Sequence, residues 1–372
     1  MLAMLPENLK NIALACRHDA DNDRDRVRSG DASGKVHSWF APALLHGTRG
    51  LFEKSHGTRG HELVIILATR GCQHYFSDEL GCTMCGYNND STGELQTAES
   101  IEAQLEIALQ AHETEIANSD AVVAKIFNSG SFFDEDEIPA TAQEMILQQF
   151  ARFPQVKEIA VESRPEFITA EAARRLKGNA RQDQRCEVGI GLESWNDEIR
   201  LDLINKGFTL EDFLHAHDIL KENGIGTKSY VLLKPLFLDE FEAFEDARAT
   251  IAQLQELGVS TISINPVAIH AHTLVEEFWQ RRLYRPPWLW TIALLLHETF
   301  TMPSRNKDIL VICDPVAGGK PRGAHNCKDA ACNQLALDLI KKAVAMQDSF
   351  DELDPLASTC ACLLEWIDHM HA

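Results

Sequence analysis

The sequence is poor in positive charge and has no long apolar run. Its 35 lysines and arginines face 56 aspartates and glutamates, so the formal net charge, 35 minus 56, is −21 at pH 7. Such a surplus opposes nonspecific attraction to a phosphate backbone, and no basic module interleaved with aromatics stands out to reverse it. A nucleic-acid substrate would need a local basic patch or a partner protein to present it. No stretch of 18 apolar residues occurs, which excludes an ordinary membrane-spanning helix. The opening MLAMLPENLKNIALACRHDADNDRDR lacks the basic-then-apolar order and cleavage site of a signal peptide, so the expectation is a cytoplasmic protein with no membrane partner.

What is present fits a folded protein. The 372 residues suffice for one large α/β barrel with extensions or for two ordinary domains, and 45% hydrophobic with 24% charged residues is a usual globular balance. There are ten cysteines. In a reducing compartment these read as ligands or catalytic thiols sooner than disulfides. Cys16 and Cys186 stand alone, whereas the other eight lie in or near 72–85 and 313–362.

Residues 1–36 combine a short amphipathic stretch with DADNDRDRVRSGDASGK, which reads as a mobile arm. HGTRG occurs at 46–50 and again at 56–60, a local duplication or a pair of phosphate-facing arginines, Arg49 and Arg59. From about residue 61 a βα rhythm begins. Strands are expected in ELVIILAT, VVAKIFNS, VKEIAVES, CEVGIGLE, IGTKSYVLLK and VSTISINP, with helices near 97–113, 139–151, 169–178, 209–223 and 240–257 and a shorter one in 195–205. Six alternations imply an α/β fold with a parallel sheet or partial barrel, because parallel strands need crossovers. Cys72, Asn128, Glu162, Glu193, Lys234 and Asn265 all fall near strand C-terminal ends, where such barrels hold their sites. The expected division is an N-terminal arm and lead-in over 1–60, a barrel over 61–270 and a cysteine-rich extension over 271–372. In the extension DILVICDP reads as one more strand and YRPPWLW as a turn with aromatic anchors.

The segment RGCQHYFSDELGCTMCGYNND places Cys72, Cys82 and Cys85 with nine and then two residues between them. Three thiolates can hold three irons of a four-iron cluster and leave the fourth open to another molecule. The alternative is a structural zinc site completed by His74. Glu162 and Glu193 need partners if buried, either a ligand amino group or a structural arginine. Gly189 and Gly191 allow close backbone approach beside Glu193. Lys234 is either an anchor for a ligand carboxylate or a strand-ending surface lysine. RGAHNCKDAAC and TCAC supply Cys327, Cys332, Cys360 and Cys362, which could close a zinc site or pack as reduced thiols, with Cys313 as a substitute ligand.

The cysteine spacing after the first strand of a six-fold βα pattern resembles radical S-adenosylmethionine enzymes, in the variant spacing of the elongator catalytic subunit. The ordered series TRGC, GCTMCGY, ESRPEFI, VGIGLES, NKGF, YVLLKP, INP, YRPPWLW and HNC, from about 39 to 366, is similar to the radical subunits of archaeosine synthase. That resemblance implies a partial (βα)6 radical SAM barrel with a [4Fe–4S] cluster on Cys72, Cys82 and Cys85, and S-adenosylmethionine as cofactor. The small-residue turn Asn128, Ser129, Gly130 and Ser131 would lie against the methionine amino group, with Met84 packing against a ring before the third cysteine and Gly86 and Tyr87 on the adenine side. The implied reaction is C–N cleavage of a lysine on a 7-deazaguanine base of tRNA, leaving the amidine of archaeosine. Glu162 and Glu193 would hold amino groups there, a transglycosylase-like partner could deliver the tRNA, and an electron donor is required. Two other readings keep the metal chemistry. One is a radical enzyme for a small molecule or peptide, and the other an iron–sulfur or zinc protein without turnover. The chain ends too early for the second domain of an elongator-type acetyltransferase.

Overall fold

A computed structural model describes residues 7–28, 36–43, 60–350 and 360–371. One eight-stranded sheet runs in chain order: β1 (His37–Pro42), β2 (Gly60–Ile66), β3 (Ala121–Phe127), β4 (Val156–Glu162), β5 (Arg185–Glu193), β6 (Gly226–Leu233), β7 (Thr261–Pro266) and β8 (Leu310–Ile312). β1 is antiparallel to β2 and every later neighbour is parallel, giving a curled half-barrel. The six expected strands are β2 to β7. β8 is the expected late strand, so both the lead-in and the extension add a strand to the same sheet.

The crossover helices are α2 (Ala98–Ala117), α3 (Ala140–Ala151), α4 (Ala170–Asn179), α5 (Leu210–Glu222) and α6 (Glu240–Leu257), preceded by α1 (Glu7–Arg28). Capping boxes start α5 (Thr209 with Asp212) and α6 (Asp239 with Glu242), satisfying orphan amides at the first turn. α7 (Leu274–Gln280), α8 (Leu289–Thr301), α9 (Ala330–Met346) and α10 (Cys362–Met370) complete the chain. Among the described residues no helix is long and apolar enough to cross a membrane.

The two faces of the sheet differ. Outward-pointing Leu63, Ile65, Ala124, Ile126, Ile159, Val161, Val188 and Ile190 are fully buried against the helices. Each large aliphatic side chain so buried contributes roughly 1.5–3 kcal/mol. Between them the inward positions carry Glu62, Lys125, Glu162, Glu187, Lys228 and Tyr230. The helices therefore hold the sheet together, and the concave side is free for polar chemistry.

Three expectations change. The polar stretch expected as a mobile arm is helical through Arg28, and Leu9 and Ile12 of α1 pack against the buried cluster that contains Leu274 and Val275. Arg17 of that helix donates to the Ser77 carbonyl at 3.2 Å. The expected helix in 195–205 is a single wide π-type turn, Ile199–Leu203. The HGTRG pair, with Arg49 and Arg59, lies outside the described residues apart from Gly60.

Candidate functional site

The segment after β2 turns sharply at Gly71, φ +104°, where a side chain would strike Asn88 and Ser91. Asn88 Oδ1 accepts from the Cys72 amide at 2.9 Å, fixing the first thiol. A single helical turn, Gln73–Phe76, then leads toward Cys82 and Cys85, and the Cys85 amide donates to the Cys82 carbonyl at 3.2 Å. The loop is clamped from the side by the residues after the π turn. Asn205 donates to the carbonyls of Glu79 and Gly81 at 2.6 and 2.7 Å, and the Thr83 amide donates to the Ile204 carbonyl at 2.9 Å.

Burial raises the pKa of Cys72 and pushes that of Cys85 up to about 12, with the neighbouring thiols adding to the effect. Thiols in such surroundings ionise when a cationic centre joins them. Two cations already face the group. Burial opposes the charge of Arg164, but Glu166, Cys72 and Cys82 outweigh it and hold its pKa above the ordinary value. Lys206 behaves likewise, with Glu193 and then Cys82 overcoming desolvation. A four-iron cluster on three thiolates carries net negative charge, so the thiols and the two cations fit that group. His74 does not complete a closed site: its Nε2 lies 2.7 Å from the Asn205 carbonyl and its Nδ1 3.1 Å from Glu79. Neither ring nitrogen is left for a metal.

The turn after β3 lies directly against the first thiol. A Cβ on Gly130 would stand 2.7 Å from the Cys72 Cα and 2.1 Å from Glu137 Oε2. Glu137, 1% exposed, accepts from the Ser131 amide at 2.7 Å and from Thr69 Oγ1 at 2.5 Å, joining this turn to the end of β2. Its carboxyl pKa is raised by burial. Ser129 Oγ donates to the Tyr87 carbonyl at 3.1 Å, and among the described residues the buried Asn128 side chain finds no hydrogen-bond partner of good geometry, although it lies close enough to Glu137 to favour its charge. Met84 packs below with Leu274 and Val275, and the Tyr87 ring lies 5.7 Å from that of His270. Tyr87 itself is 64% exposed.

The two predicted carboxylates take different partners. Glu162 accepts from the Tyr230 hydroxyl across the gap left by Gly189, whose Cβ would touch both side chains at 3.1 Å. Glu193 pairs with Lys206 at 2.8 Å. It sits at a register shift of β5 with φ +68°, a conformation that costs energy for a side-chain-bearing residue and clusters at functional sites. Lys234 binds Glu240 at 2.6 Å, so its carboxylate partner is internal. The structure thus gathers the cysteine loop, the NSGS turn, Glu162 and Glu193 at one end of the sheet and leaves Lys234 outside the group. Sequence reasoning missed Arg164 as a neighbour of the thiols, Lys206, Glu137 and Tyr230. The strings ESRPEFI and NKGF contained two of them, but a lone charge in a loop carries no sign of what it faces.

The second cysteine group is compact. The Sγ atoms of Cys327, Cys332, Cys360 and Cys362 all lie within 4.8 Å of one another, with Cys327–Cys360 at 3.7 Å and Cys332–Cys362 at 3.6 Å. A tetrahedral zinc–thiolate bond of about 2.3 Å implies sulfurs roughly 3.8 Å apart, so the donor set fits that geometry. Cys313 is buried but not among the four. The YRPPWLW segment supports the group's loop: Arg285 donates to the His325 and Asn326 carbonyls at 2.7 and 3.0 Å, and Asn326 Oδ1 accepts from the Trp290 amide.

Residues 66–248 match the family model of the radical SAM superfamily. Archaeosine synthase subunit beta of Methanosarcina acetivorans is 36% identical over 92% of both chains, and that of Thermococcus kodakarensis 35% identical over 84% of this chain and 93% of its own. The chain belongs to the radical SAM superfamily. An uncharacterized protein of Methanocaldococcus jannaschii is 38% identical over 82% of this chain and 81% of its own. Within the superfamily the chain is therefore a relative of the archaeosine synthase beta subunits.

Proposed function

We propose that this chain is the radical subunit of an archaeosine-forming enzyme, a C–N lyase acting on a lysine-modified 7-deazaguanine in tRNA. The observation that carries the reading is identity of 36% across 92% of both chains with an archaeosine synthase beta subunit. Cys72, Cys82 and Cys85 would hold a [4Fe–4S] cluster, leaving one iron for S-adenosylmethionine. When bound, these groups supply a 5′-deoxyadenosyl radical by one-electron reduction.

The residues of the chain do the positioning. Asn128 and the Ser129–Ser131 turn offer polar groups and close backbone approach to the cofactor, Met84 and Tyr87 its apolar side, and Arg164 and Lys206 compensate negative charge. Glu162 and Glu193 hold amino groups of cofactor or substrate. The curled sheet excludes water from one side, which protects a reactive radical. With a net charge of −21, tRNA is best presented by a partner chain, as the word "subunit" in the relatives' names suggests. A transglycosylase-like protein fits that role, with a separate electron donor. Zinc at Cys327, Cys332, Cys360 and Cys362 would fasten the extension to the barrel.

Anaerobic reconstitution with S-adenosylmethionine, reductant and lysine-modified tRNA, followed by nucleoside mass spectrometry, tests the reading. Archaeosine should accumulate with 5′-deoxyadenosine. Cofactor cleavage without archaeosine, with the partner supplied, would favour a small-molecule or peptide substrate.

A further inference from the structure

The concave face of the sheet carries charges beyond the cysteine site, and Glu162 belongs to both. Each acidic member is engaged. Glu62 on β2 pairs with Lys125 on β3 at 2.5 Å. Glu187 on β5 accepts from Ser260 Oγ and Thr261 Oγ1 at 2.6 and 2.7 Å. Glu162 on β4 accepts from Tyr230 on β6.

Lys228 is the exception. It sits two residues before Tyr230 on the same face of β6, in register with Gly189 and Thr261. It is 8% exposed, yet among the described residues its ammonium makes no ion pair and no hydrogen bond, and lies 4.4 Å over the Tyr230 ring. Burial lowers its pKa, and the charge of Glu162 acts to restore it. A buried lysine without a carboxylate is costly unless a ligand completes it, and a ring face replaces only part of its lost hydration.

Neighbouring charges restrict what that ligand can be. Glu162, Glu187 and Glu62 act on Lys228 against one further cation, Lys125, and this acidic surplus disfavours a dianionic phosphate. A single carboxylate is small enough and carries one charge. An adjoining amino group would find Glu162 beside it, where Tyr230 occupies one carboxylate oxygen and leaves the other. Gly189, facing both Glu162 and Tyr230, keeps bulk away from this corner.

We propose that Lys228 anchors the carboxylate of a zwitterionic amino-acid arm of the substrate inside the half-barrel, with Tyr230 holding Glu162 in place beside the arm's amino group. This rests on the lyase reading above, in which the base carries an amino acid whose carboxylate stays free. Lys228 would thereby set which end of the arm enters the barrel.

The test is calorimetric binding of two small probes to the cluster-loaded protein with S-adenosylmethionine bound and no reductant. The first probe is N6-(1-iminoethyl)-L-lysine, which carries amidine, amino group and carboxylate. The second is its decarboxylated counterpart. The wild-type protein should bind the first about 10- to 100-fold more tightly, the range of a charge-assisted hydrogen bond. Lys228→Met should remove that preference and Lys228→Arg should keep part of it. Equal affinities in the wild type, no binding of the first probe at millimolar concentration, or full preference in Lys228→Met would each overturn the assignment. The wild-type comparison decides even where a variant folds poorly. No tRNA turnover is read, so failure of the lyase reading shows in the nucleoside assay, whereas failure here removes only the Lys228 assignment.

Discussion

The two cysteine groups of this chain present the same donor atom in different surroundings. Cys327, Cys332, Cys360 and Cys362 come from two segments and converge until four sulfurs lie within 4.8 Å, a donor set with no vacancy. Cys72, Cys82 and Cys85 come from one loop and face Arg164 and Lys206, and His74, the fourth ligand considered among the described residues, is turned to the Asn205 carbonyl and Glu79. Four ligands around one small ion favour structure. Three ligands with neighbouring cations favour a charged cluster and an open coordination position. The number of thiols therefore says less than what surrounds them.

The sharpest way to break this contrast is to remove thiols from each group. Alanine at Cys72, Cys82 or Cys85 should abolish both the visible absorption of the cluster and formation of 5′-deoxyadenosine, read by iron analysis and chromatography under strict anaerobiosis. Full iron content with continued cofactor cleavage in the triple variant would end the assignment.

A somewhat smaller effect is expected where a cation has a buried partner. Lys206→Met leaves Glu193, 6% exposed, without its counter-charge. Breaking such a buried pair typically costs about 3–5 kcal/mol, to be measured by denaturant unfolding. Double substitution with Glu193→Gln should recover part of that loss but not cofactor cleavage. Gly130→Ala comes next. Its new methyl would press on Glu137 and the Cys72 backbone, and overpacking of this kind costs about 1–3 kcal/mol. Cofactor affinity should fall with it, while the variant with Ala at exposed Gly178, where a Cβ meets nothing within 4 Å, should match the wild type.

The smallest effect on chemistry should come from the second group. Alanine at Cys332 or Cys362 should lower the melting temperature by several degrees and release one zinc per chain, while the first group still binds its iron. Equal zinc content in variant and wild type would show that these thiols hold no metal.

Much of the architecture was legible because parallel strands buried on one face read as apolar runs such as VVAKIF and VKEIAV, each followed by a helical period. β1 was not. It is a short antiparallel edge strand, and HSWFAP, ending in proline, resembles a loop. α1 was hidden by the run of alternating charges in its second half, although Leu9, Ile12 and Cys16 keep a helical spacing. At the site, the cysteines and the NSGS turn announced themselves by residue type and spacing. Glu137, Lys206, Tyr230 and Lys228 did not. Their roles arise only when strand register and loop closure bring distant segments together, as Gly189 does in letting Tyr230 reach Glu162.

Isotope transfer tests the central claim most directly. A tRNA carrying a lysine adduct deuterated along its side chain would be turned over anaerobically by the reconstituted protein with S-adenosylmethionine, a reductant and its partner. The lyase account predicts deuterium in 5′-deoxyadenosine, appearing in step with the amidine on the base. Abundant unlabelled 5′-deoxyadenosine with an intact lysine adduct would contradict it.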